Sequence, residues 1–190
     1  MKNLPPNAVL LIVDVQQGFD EPSWGRRNNP GMEARIGELL TAWRATERPT
    51  IHAKHCSTDP SSPLRPGQSG NDFKSGTAPG AGERVIEKTV NSCFIGTSLE
   101  EELRQAGCDT LVIVGLTTNH CVSTTARMAG NLGFATWVVR DATATFDRVG
   151  PDGVTYPAEQ VHALALADLH QEFATIVDTA AMITAALGHA

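Results

Sequence analysis

Residues 110–126, TLVIVGLTTNHCVSTTA, constrain the fold of this chain more than any other stretch. The apolar, β-branched run 111–114 has the length and composition of a strand that is buried on both faces, as in a parallel sheet. Gly115 is expected to end this strand. Polar residues of the kind that cap helices then follow, namely Thr117, Thr118 and Asn119. Apolar residues recur afterwards at helical spacing, so we predict a helix over 121–132.

Cys121 falls in the first turn of this predicted helix. Backbone N–H groups and the positive end of the helix dipole stabilise a thiolate over a thiol in that position. Most free cysteines, however, are small buried apolar residues without a chemical role. The position of Cys121 alone does not decide between these two interpretations.

Two further chemically active residues follow predicted strands. The apolar run 8–13, AVLLIV, ends at Asp14, and the short strand 84–87, RVIE, leads to Lys88. A carboxylate at the end of a buried strand is costly unless it is paired or used. In open α/β sheets, functional sites lie at the carboxyl ends of the strands. Asp14, Lys88 and Cys121 are therefore candidates for one shared site.

The rest of the chain alternates strands with helices. We predict further strands at 50–53, 134–139 and 173–177, and helices at 32–44, 99–106, 157–171 and 179–187. Ser98 and Glu101 are expected to form a capping box at the start of helix 99–106. About six strands alternating with helices predict an α/β fold with a parallel sheet covered on both faces. Residues 1–190 show no internal repeat and are expected to form a single domain.

One long segment lacks this alternation. Residues 56–83 are rich in Ser, Pro and Gly and show almost no hydrophobic periodicity. A loop of this length in a compact domain is usually a lid, a binding loop or an interface segment. The sequence does not choose among these three. Residues 143–155 are also predicted to be loop.

Charge and composition exclude several classes of function. The formal net charge is −6 and no Lys/Arg cluster could neutralise a row of phosphates, so we expect no nucleic-acid partner and no attachment to a membrane surface. No segment reaches the ~18 apolar residues of a membrane span, and the N-terminal run lacks a signal-peptide pattern. The cysteines Cys56, Cys93, Cys108 and Cys121 form no CxxC pair. We therefore expect a reduced, cytoplasmic protein.

A carboxylate, an ammonium and a thiol at one sheet edge can form a nucleophilic site. Cys121 would be the nucleophile and Asp14 its general base, while Lys88 and the helix N-terminus would stabilise the thiolate. Without the cysteine, a buried ion pair between Asp14 and Lys88 would be an equally good explanation of those two residues. The chain contains no GxGxxG, GxxxxGK[ST] or GxSxG motif, which argues against dinucleotide, P-loop and serine-hydrolase sites.

His52 and His55 lie close together near a predicted strand end, with Asp59 beyond, which suggests a metal site. Two histidines three residues apart on an extended segment point to opposite faces, so shared coordination of one ion is not expected. We predict no metal and no cofactor.

Three motifs taken together resemble those of the isochorismatase-like cysteine hydrolases. They are LLIVDVQ, VIEKTVNSCFIGTSLEEELRQAG and LVIVGLTTNHCVSTTARMAGNLGF, followed by VVRDATATF, and they run in the family's order over nearly the whole chain. The family includes nicotinamidases, N-carbamoylsarcosine amidohydrolases, biuret- and ureidoacrylate-type amidohydrolases and streptothricin hydrolase. The resemblance implies a Rossmann-like three-layer sandwich of about six mainly parallel strands, a triad of Asp14, Lys88 and Cys121, and assembly as a homodimer or homotetramer.

The resemblance also implies a reaction and the residues around it. Cys121 would attack the carbonyl of a small amide, ureide or lactam, and water would then hydrolyse the thioester. A cis peptide bond between Leu116 and Thr117 would turn the Thr117 N–H toward the site, where it would form an oxyanion hole with the Cys121 N–H. By similarity, Gln16 and Phe19 would line the substrate pocket. Nearness to the triad in sequence adds three further substrate-binding candidates: Trp24, Asn119 and His120.

The chain departs from two branches of that family. Nicotinamidases carry an Asp-x-His metal motif after the second strand, but the matching stretch here, His52-Ala53-Lys54-His55, has no Asp. Isochorismatases proper lack the nucleophilic cysteine. Both departures favour a metal-independent cysteine amidohydrolase. The alternatives are an isochorismatase-type or other non-amide hydrolase, and a non-catalytic binding or redox-responsive module on the same fold.

Overall fold

The computed structural model of the protein describes residues 4–188. Its strands are β1 (Val9–Val13), β2 (Thr50–His55), β3 (Arg84–Lys88), β4 (Thr110–Leu116), β5 (Ala135–Ala144), β6 (Arg148–Val149), β7 (Thr155–Tyr156) and β8 (Thr175–Val177). Six of them form one sheet in the order β3-β2-β1-β4-β5-β8, and every pair in it is parallel. β6 and β7 form a separate antiparallel hairpin. The predicted α/β fold with a six-stranded parallel sheet is confirmed.

Helices cover both faces of the sheet. They are α1 (Met32–Ala45), α2 (Leu99–Gln105), α3 (Ser123–Asn131), α4 (Ala158–Leu169) and α5 (Thr179–Leu187). The central strand β1 is buried along its whole length, and its side chains alternate between the two layers. Leu10 and Ile12 lie in the core cluster that includes α1 and α5. Val9, Leu11 and Val13 lie in the cluster that includes α2, α3 and α4. Burial on both faces explains why β1 and β4 are unbroken apolar runs.

The strand order places a crevice at the middle of the sheet. The chain runs outward from β1 to β2 and β3, then crosses back to β4 on the other side of β1. The connections that follow β1 and β4 therefore run to opposite sides of the sheet, and open α/β sheets form their sites in the crevice between two such strand ends. Asp14 directly follows β1, and the segment leading to Cys121 directly follows β4.

Gly115 lies within β4 and does not end it, so that part of the prediction was wrong. Its φ of 112° is one that residues with a side chain rarely adopt, and a β-carbon at this position would overlap the carbonyl oxygen of Val13. Glycine therefore allows β4 to pass close to β1 at the point where the crevice opens.

The strand predicted at 134–139 continues to Ala144, and the predicted loop after it contains the β6–β7 hairpin.

The predicted capping box at the start of α2 does not form. The Ser98 side chain makes no bond to a backbone N–H of the helix. Its hydroxyl donates instead to Glu102 Oε1, while Glu101 Oε1 accepts from Gln105.

Within residues 4–188, no helix has both the length and the apolar character that a membrane crossing requires.

Candidate active site

Asp14 and Lys88 form a buried ion pair at the carboxyl end of the sheet. Asp14 leaves β1 with a φ of 53°, in the left-handed region that few residues with a side chain occupy. Its Oδ2 accepts a hydrogen bond of 2.6 Å from Lys88 Nζ, and both side chains are wholly buried. Burial, the largest single effect, would lower the pKa of Lys88, but the charge of Asp14, the nearby Cys121 and Cys93 and the hydrogen bond to Asp14 together outweigh it and raise that pKa. Lys88 is therefore held as an ammonium.

The second carboxylate oxygen of Asp14 is chemically free. Asp14 Oδ1 is buried and has no hydrogen-bond partner among the described residues. A buried acceptor without a partner is costly, so it marks a position where a proton or a ligand can bind. One oxygen of this carboxylate is thus fixed by Lys88 and the other is available to accept a proton.

His55, at the end of β2, completes the surroundings of the ammonium. Lys88 Nζ lies 3.3 Å from His55 Nδ1 and donates to Val90 O at 3.2 Å. Because an ammonium can only donate, Nδ1 accepts and the ring proton of a neutral His55 is on Nε2. Burial and the charge of Lys88 both lower the pKa of His55, which keeps the ring neutral. Sequence reasoning considered His55 only as a metal ligand.

The Cys121 thiol faces this pair. Its Sγ, an Asp14 carboxylate oxygen and a His55 ring nitrogen all lie within 4.8 Å of one another. The thiol donates to Asn91 Oδ1 at 3.6 Å. The three donor atoms are close enough together to ligate one metal ion. However, Lys88 Nζ already contacts Asp14 and His55, and its charge opposes a cation there.

The resting state of Cys121 differs from the prediction of a stabilised thiolate. Burial and the negative charge of Asp14 raise the pKa of the Cys121 thiol, and the opposing effect of Lys88 is smaller. The local backbone also differs, since residues Thr118–Val122 form a π-helical turn and α3 starts only at Ser123. Cys121 therefore precedes α3. Because its pKa is raised, Cys121 is a neutral thiol at rest. It needs a base in order to react.

None of the three predicted N-caps caps a helix. The Thr117 side chain makes no capping bond. The Thr118 hydroxyl lies 2.8 Å from His162 Nδ1, and Asn119 Oδ1 accepts from the Thr145 hydroxyl at 2.5 Å. Through these contacts, Thr118 and Asn119 hold the π-helical turn against α4 and against the loop that follows β5.

The peptide bond between Leu116 and Thr117 is cis. Thr117 borders the cavity at Cys121. Among residues 4–188, its N–H has no hydrogen-bond acceptor. A backbone donor in this position is free to bind an oxygen atom near the sulfur.

A small cavity opens beside the thiol. Its volume is about 100 Å³, and it is lined by Asp14, Phe19, Trp24, His55, Leu64, Asn91, Thr117, His120 and Cys121. An aromatic cluster forms one wall, with the ring centroids of Phe19 and Trp24 4.9 Å apart and those of Trp24 and Phe146 5.5 Å apart. Of the predicted pocket residues, Phe19, Trp24 and His120 line this cavity; His55, Leu64 and Asn91 also line it and were not among the residues predicted.

Gln16 does not line this cavity, contrary to the prediction. Its side chain is wholly buried and bonded to backbone groups: Nε2 donates to the carbonyls of His55 and Asn71, and Oε1 accepts from the His55 N–H. Asn71 in turn donates to the Leu64 carbonyl at 2.7 Å. Gln16 and Asn71 therefore tie the 56–83 loop to the end of β2 and hold His55 and Leu64 at the cavity.

Asn119 is also outside the cavity. It borders a separate surface groove between α3 and α4, together with Ser123 and Gln160. Its neighbour His120 points to the cavity instead. Of the two residues chosen for nearness in sequence to Cys121, the structure thus places only His120 at the cavity.

Comparison with known proteins agrees with this geometry. Residues 8–181 match the family model of the isochorismatase domain. YrdC of Bacillus subtilis, an uncharacterized isochorismatase family protein, is 47% identical over 174 residues, which are 92% of this chain and 93% of YrdC. Streptothricin hydrolase of Streptomyces noursei is 31% identical over 80% of this chain and 61% of its own length. A crystal structure of an isochorismatase-family hydrolase from Chromobacterium violaceum is 44% identical, with a TM-score of 0.95 over 100% of this chain and 98% of that one. The chain therefore belongs to the isochorismatase family.

Proposed function

We propose that this protein is a cysteine-dependent hydrolase that cleaves the C–N bond of a small amide, ureide or lactam through a thioester. The observation that carries the proposal is the state of the Asp14 carboxylate. One of its oxygens is fixed by Lys88, the other is buried and unpartnered among the described residues, and a carboxylate oxygen of Asp14 lies within 4.8 Å of the Cys121 sulfur. A neutral thiol next to a base with a free lone pair is the starting state of nucleophilic catalysis.

In the first step, Cys121 attacks the substrate carbonyl while its proton moves to Asp14 Oδ1. The S–C bond forms and the carbonyl π electrons move to the oxygen. The free N–H of Thr117 and the N–H of Cys121 would hold this oxyanion. The Lys88 ammonium pairs with Asp14 and compensates for the negative charge that the thiolate would otherwise add to a buried site.

In the second step, the tetrahedral intermediate collapses and the C–N bond breaks. The leaving nitrogen takes the proton from Asp14 and departs as ammonia or an amine. Asp14, now an anion again, can remove a proton from water as the water attacks the thioester. The C–S bond then breaks and the proton on Asp14 passes to the sulfur, so the products are the acid and the free Cys121 thiol, and atoms and charges balance over the cycle.

Cavity size and family membership support a small amide-type substrate. About 100 Å³ corresponds to the space of roughly three water molecules, so only the reacting group and a few neighbouring atoms fit beside the sulfur. A relative that is 31% identical is named streptothricin hydrolase. We propose hydrolysis at a C–N bond for this chain on the strength of its Cys-Asp-Lys arrangement.

A screen that measures ammonia or amine formation from small amides and ureides, and ring opening of lactams to amino acids, tests the proposal. Wild type is compared with Cys121→Ala and with Cys108→Ala, a matched control because Cys108 is a buried free cysteine at the opposite end of the sheet. We expect release by wild type and by Cys108→Ala, and none by Cys121→Ala. Full activity in Cys121→Ala would refute the proposal.

The products separate this proposal from its alternatives. An isochorismatase-type or other non-amide hydrolase would consume its substrate without forming ammonia or an amine. A binding or redox-responsive module would bind ligands or oxidise reversibly at Cys121 with no turnover. Ammonia formation that depends on Cys121 excludes both.

A further inference from the structure

His162 lies on α4, outside the cavity, and contacts the segment that carries the nucleophile. Its Nδ1 is 2.8 Å from the hydroxyl of Thr118, the first residue of the π-helical turn that contains Cys121. The Thr118 side chain is wholly buried. A buried hydroxyl needs a hydrogen-bond partner, and within the described part of the chain His162 is the side chain that supplies it.

The surroundings of His162 keep its ring neutral. Burial is the largest effect on the pKa of His162 and lowers it, and an interaction with the Arg140 backbone opposes burial by a smaller amount. The neutral ring therefore binds the Thr118 hydroxyl without placing a positive charge beside the turn. Because Arg140 belongs to β5, the ring also connects α4 and the turn to the sheet.

The backbone of the turn connects Thr118 to the reacting groups. The Thr118 carbonyl accepts from the Ser123 N–H at the far end of the turn. The preceding carbonyl, that of Thr117, accepts from two N–H groups further along, at 3.1 and 3.2 Å. Cys121 lies inside these bonds, and the N–H of Thr117 is the free donor beside the sulfur. The position of Thr118 therefore restricts where the sulfur and the two N–H groups of the proposed oxyanion hole can lie.

Two side-chain contacts hold this turn from different sides. Thr118 is bonded to α4 through His162, and Asn119 is bonded to Thr145 after β5. A turn held at one point can pivot about that point, and a second contact removes this freedom. The contact with His162 matters for chemistry because a displacement of about 1 Å in an active site can lower a rate by roughly 100-fold.

We propose that His162 is a positioning residue that orients the oxyanion hole through its hydrogen bond with Thr118. This inference rests on the proposed function for the identity of the hole, and it adds a residue that acts on the hole from outside the cavity. Loss of the bond should slow attack of Cys121 on a carbonyl, which forms an oxyanion. It should leave the reactivity of the thiol toward other electrophiles unchanged.

Two reactions of the same sulfur separate positioning from a general effect on the protein. In the first, Cys121 attacks p-nitrophenyl acetate and its proton passes to Asp14; the S–C bond forms, the C–O bond breaks, and the p-nitrophenolate that leaves is measured by its absorbance. In the second, iodoacetamide alkylates Cys121 by displacement of iodide, and no oxyanion forms. The ratio of the two rate constants cancels changes in the pKa of the thiol and in access to the sulfur.

The variants remove the bond in three ways and restore it in one. His162→Leu and Thr118→Val each remove one partner, and the double variant removes both, so that no buried polar group is left unpaired. His162→Asn places a polar atom near the position of Nδ1. His170→Leu is the matched control, since it makes the same change at an exposed histidine at the end of α4. Background reaction is measured with Cys121→Ala.

We expect the ratio to fall at least about five-fold in His162→Leu, in Thr118→Val and in the double variant. His170→Leu should match wild type, and His162→Asn should retain most of the ratio. The double variant remains informative if His162→Leu fails to fold, because its thermal midpoint should lie close to that of wild type. A smaller fall in the double variant, a ratio in His162→Asn as low as in His162→Leu, or a wild type that p-nitrophenyl acetate does not acylate would overturn the inference.

The same measurements distinguish this inference from the proposed function. A ratio that depends on His162, with no ammonia or amine formed from any amide, would leave the positioning role standing and refute amide hydrolysis. Amide turnover that depends on Cys121, with an unchanged ratio in the double variant, would do the reverse.

Discussion

Replacing Asp14 by Asn should make Cys121 more reactive toward alkylating agents while abolishing hydrolysis. The side chain keeps its shape, but its negative charge and its ability to accept the thiol proton are lost. The charge of Asp14 is one of the two main causes that raise the pKa of the Cys121 thiol, and Lys88 acts in the opposite direction. Removing the carboxylate therefore lowers the pKa of the thiol and removes the base from the reaction.

The size of the effect follows from the geometry. With an effective dielectric constant of about 20 and a separation of at most 4.8 Å, the Asp14 charge raises the free energy of the thiolate by about 3.5 kcal/mol, or roughly 2.5 pKa units. The thiolate fraction at neutral pH would rise roughly 300-fold. Because a less basic thiolate is a weaker nucleophile, the alkylation rate should rise roughly 20-fold.

The same substitution should destabilise the fold. Lys88 would remain as a buried ammonium without its counter-ion, and breaking such a pair costs about 3–5 kcal/mol. Replacing both residues, as in Asp14→Asn with Lys88→Met, should recover part of this loss, because neither charge is then buried.

The assay is the rate of iodoacetamide labelling of the Cys121 peptide between pH 6 and pH 9, with ammonia release measured on the same samples. Asp168→Asn is the matched control, since it makes the same chemical change at an exposed carboxylate. An alkylation rate in Asp14→Asn that is equal to or below that of wild type would refute the electrostatic account. Hydrolysis that survives the substitution would refute the role of Asp14 as the base.

Three further predictions concern stability and assembly. Gly115→Ala should lower the free energy of unfolding by more than about 3 kcal/mol in denaturant melts, because the new β-carbon overlaps the Val13 carbonyl; an unchanged midpoint would contradict this. Burial opposes ionisation of Glu33, but hydrogen bonds from Arg27 and Lys74 lower its pKa from 4.5 to about 2. Its contribution to stability is therefore fully present above about pH 4.5 and is lost as the pH falls toward 2, so Glu33→Gln should cost about 1–2 kcal/mol at pH 7 and almost nothing at pH 2. Equal costs at both pH values would contradict this sign. Light scattering should give the mass of a homodimer or homotetramer, and a monomer at micromolar concentration would refute the proposed assembly.

The sheet and the grouping of Asp14, Lys88 and Cys121 at its edge could be predicted because both depend on short-range patterns. A strand buried on both faces has to be a continuous apolar run, as in the runs that became β1 and β4. Parallel strands end at the same edge of a sheet, so the sequence alone predicts that Asp14, Lys88 and Cys121 lie near one another.

The cavity walls could not be predicted in the same way because they depend on loop conformation. His55 and Leu64 reach the cavity only because Gln16 and Asn71 hold the 56–83 loop against β2. The resemblance assigned Gln16 to the pocket, but its side chain points into the loop backbone. The β6–β7 hairpin lies in a segment that the sequence predicted to be loop.

The helix-dipole argument for Cys121 failed for a related reason. It assumed that the segment after β4 enters an α-helix directly, whereas a π-helical turn comes first. It also weighed only groups that are near in sequence. Asp14 comes from another strand, and its charge, together with burial, determines the state of the thiol.

The most direct test of the account is to trap the covalent intermediate. Wild type is mixed with an amide that it turns over and quenched in acid within milliseconds to seconds, and its peptides are then analysed by mass spectrometry. The account predicts that the Cys121 peptide gains the mass of the substrate minus ammonia, and that Cys121→Ala shows no such adduct and no turnover. Ammonia release that persists in Cys121→Ala, or an acyl group found on another residue, would contradict it.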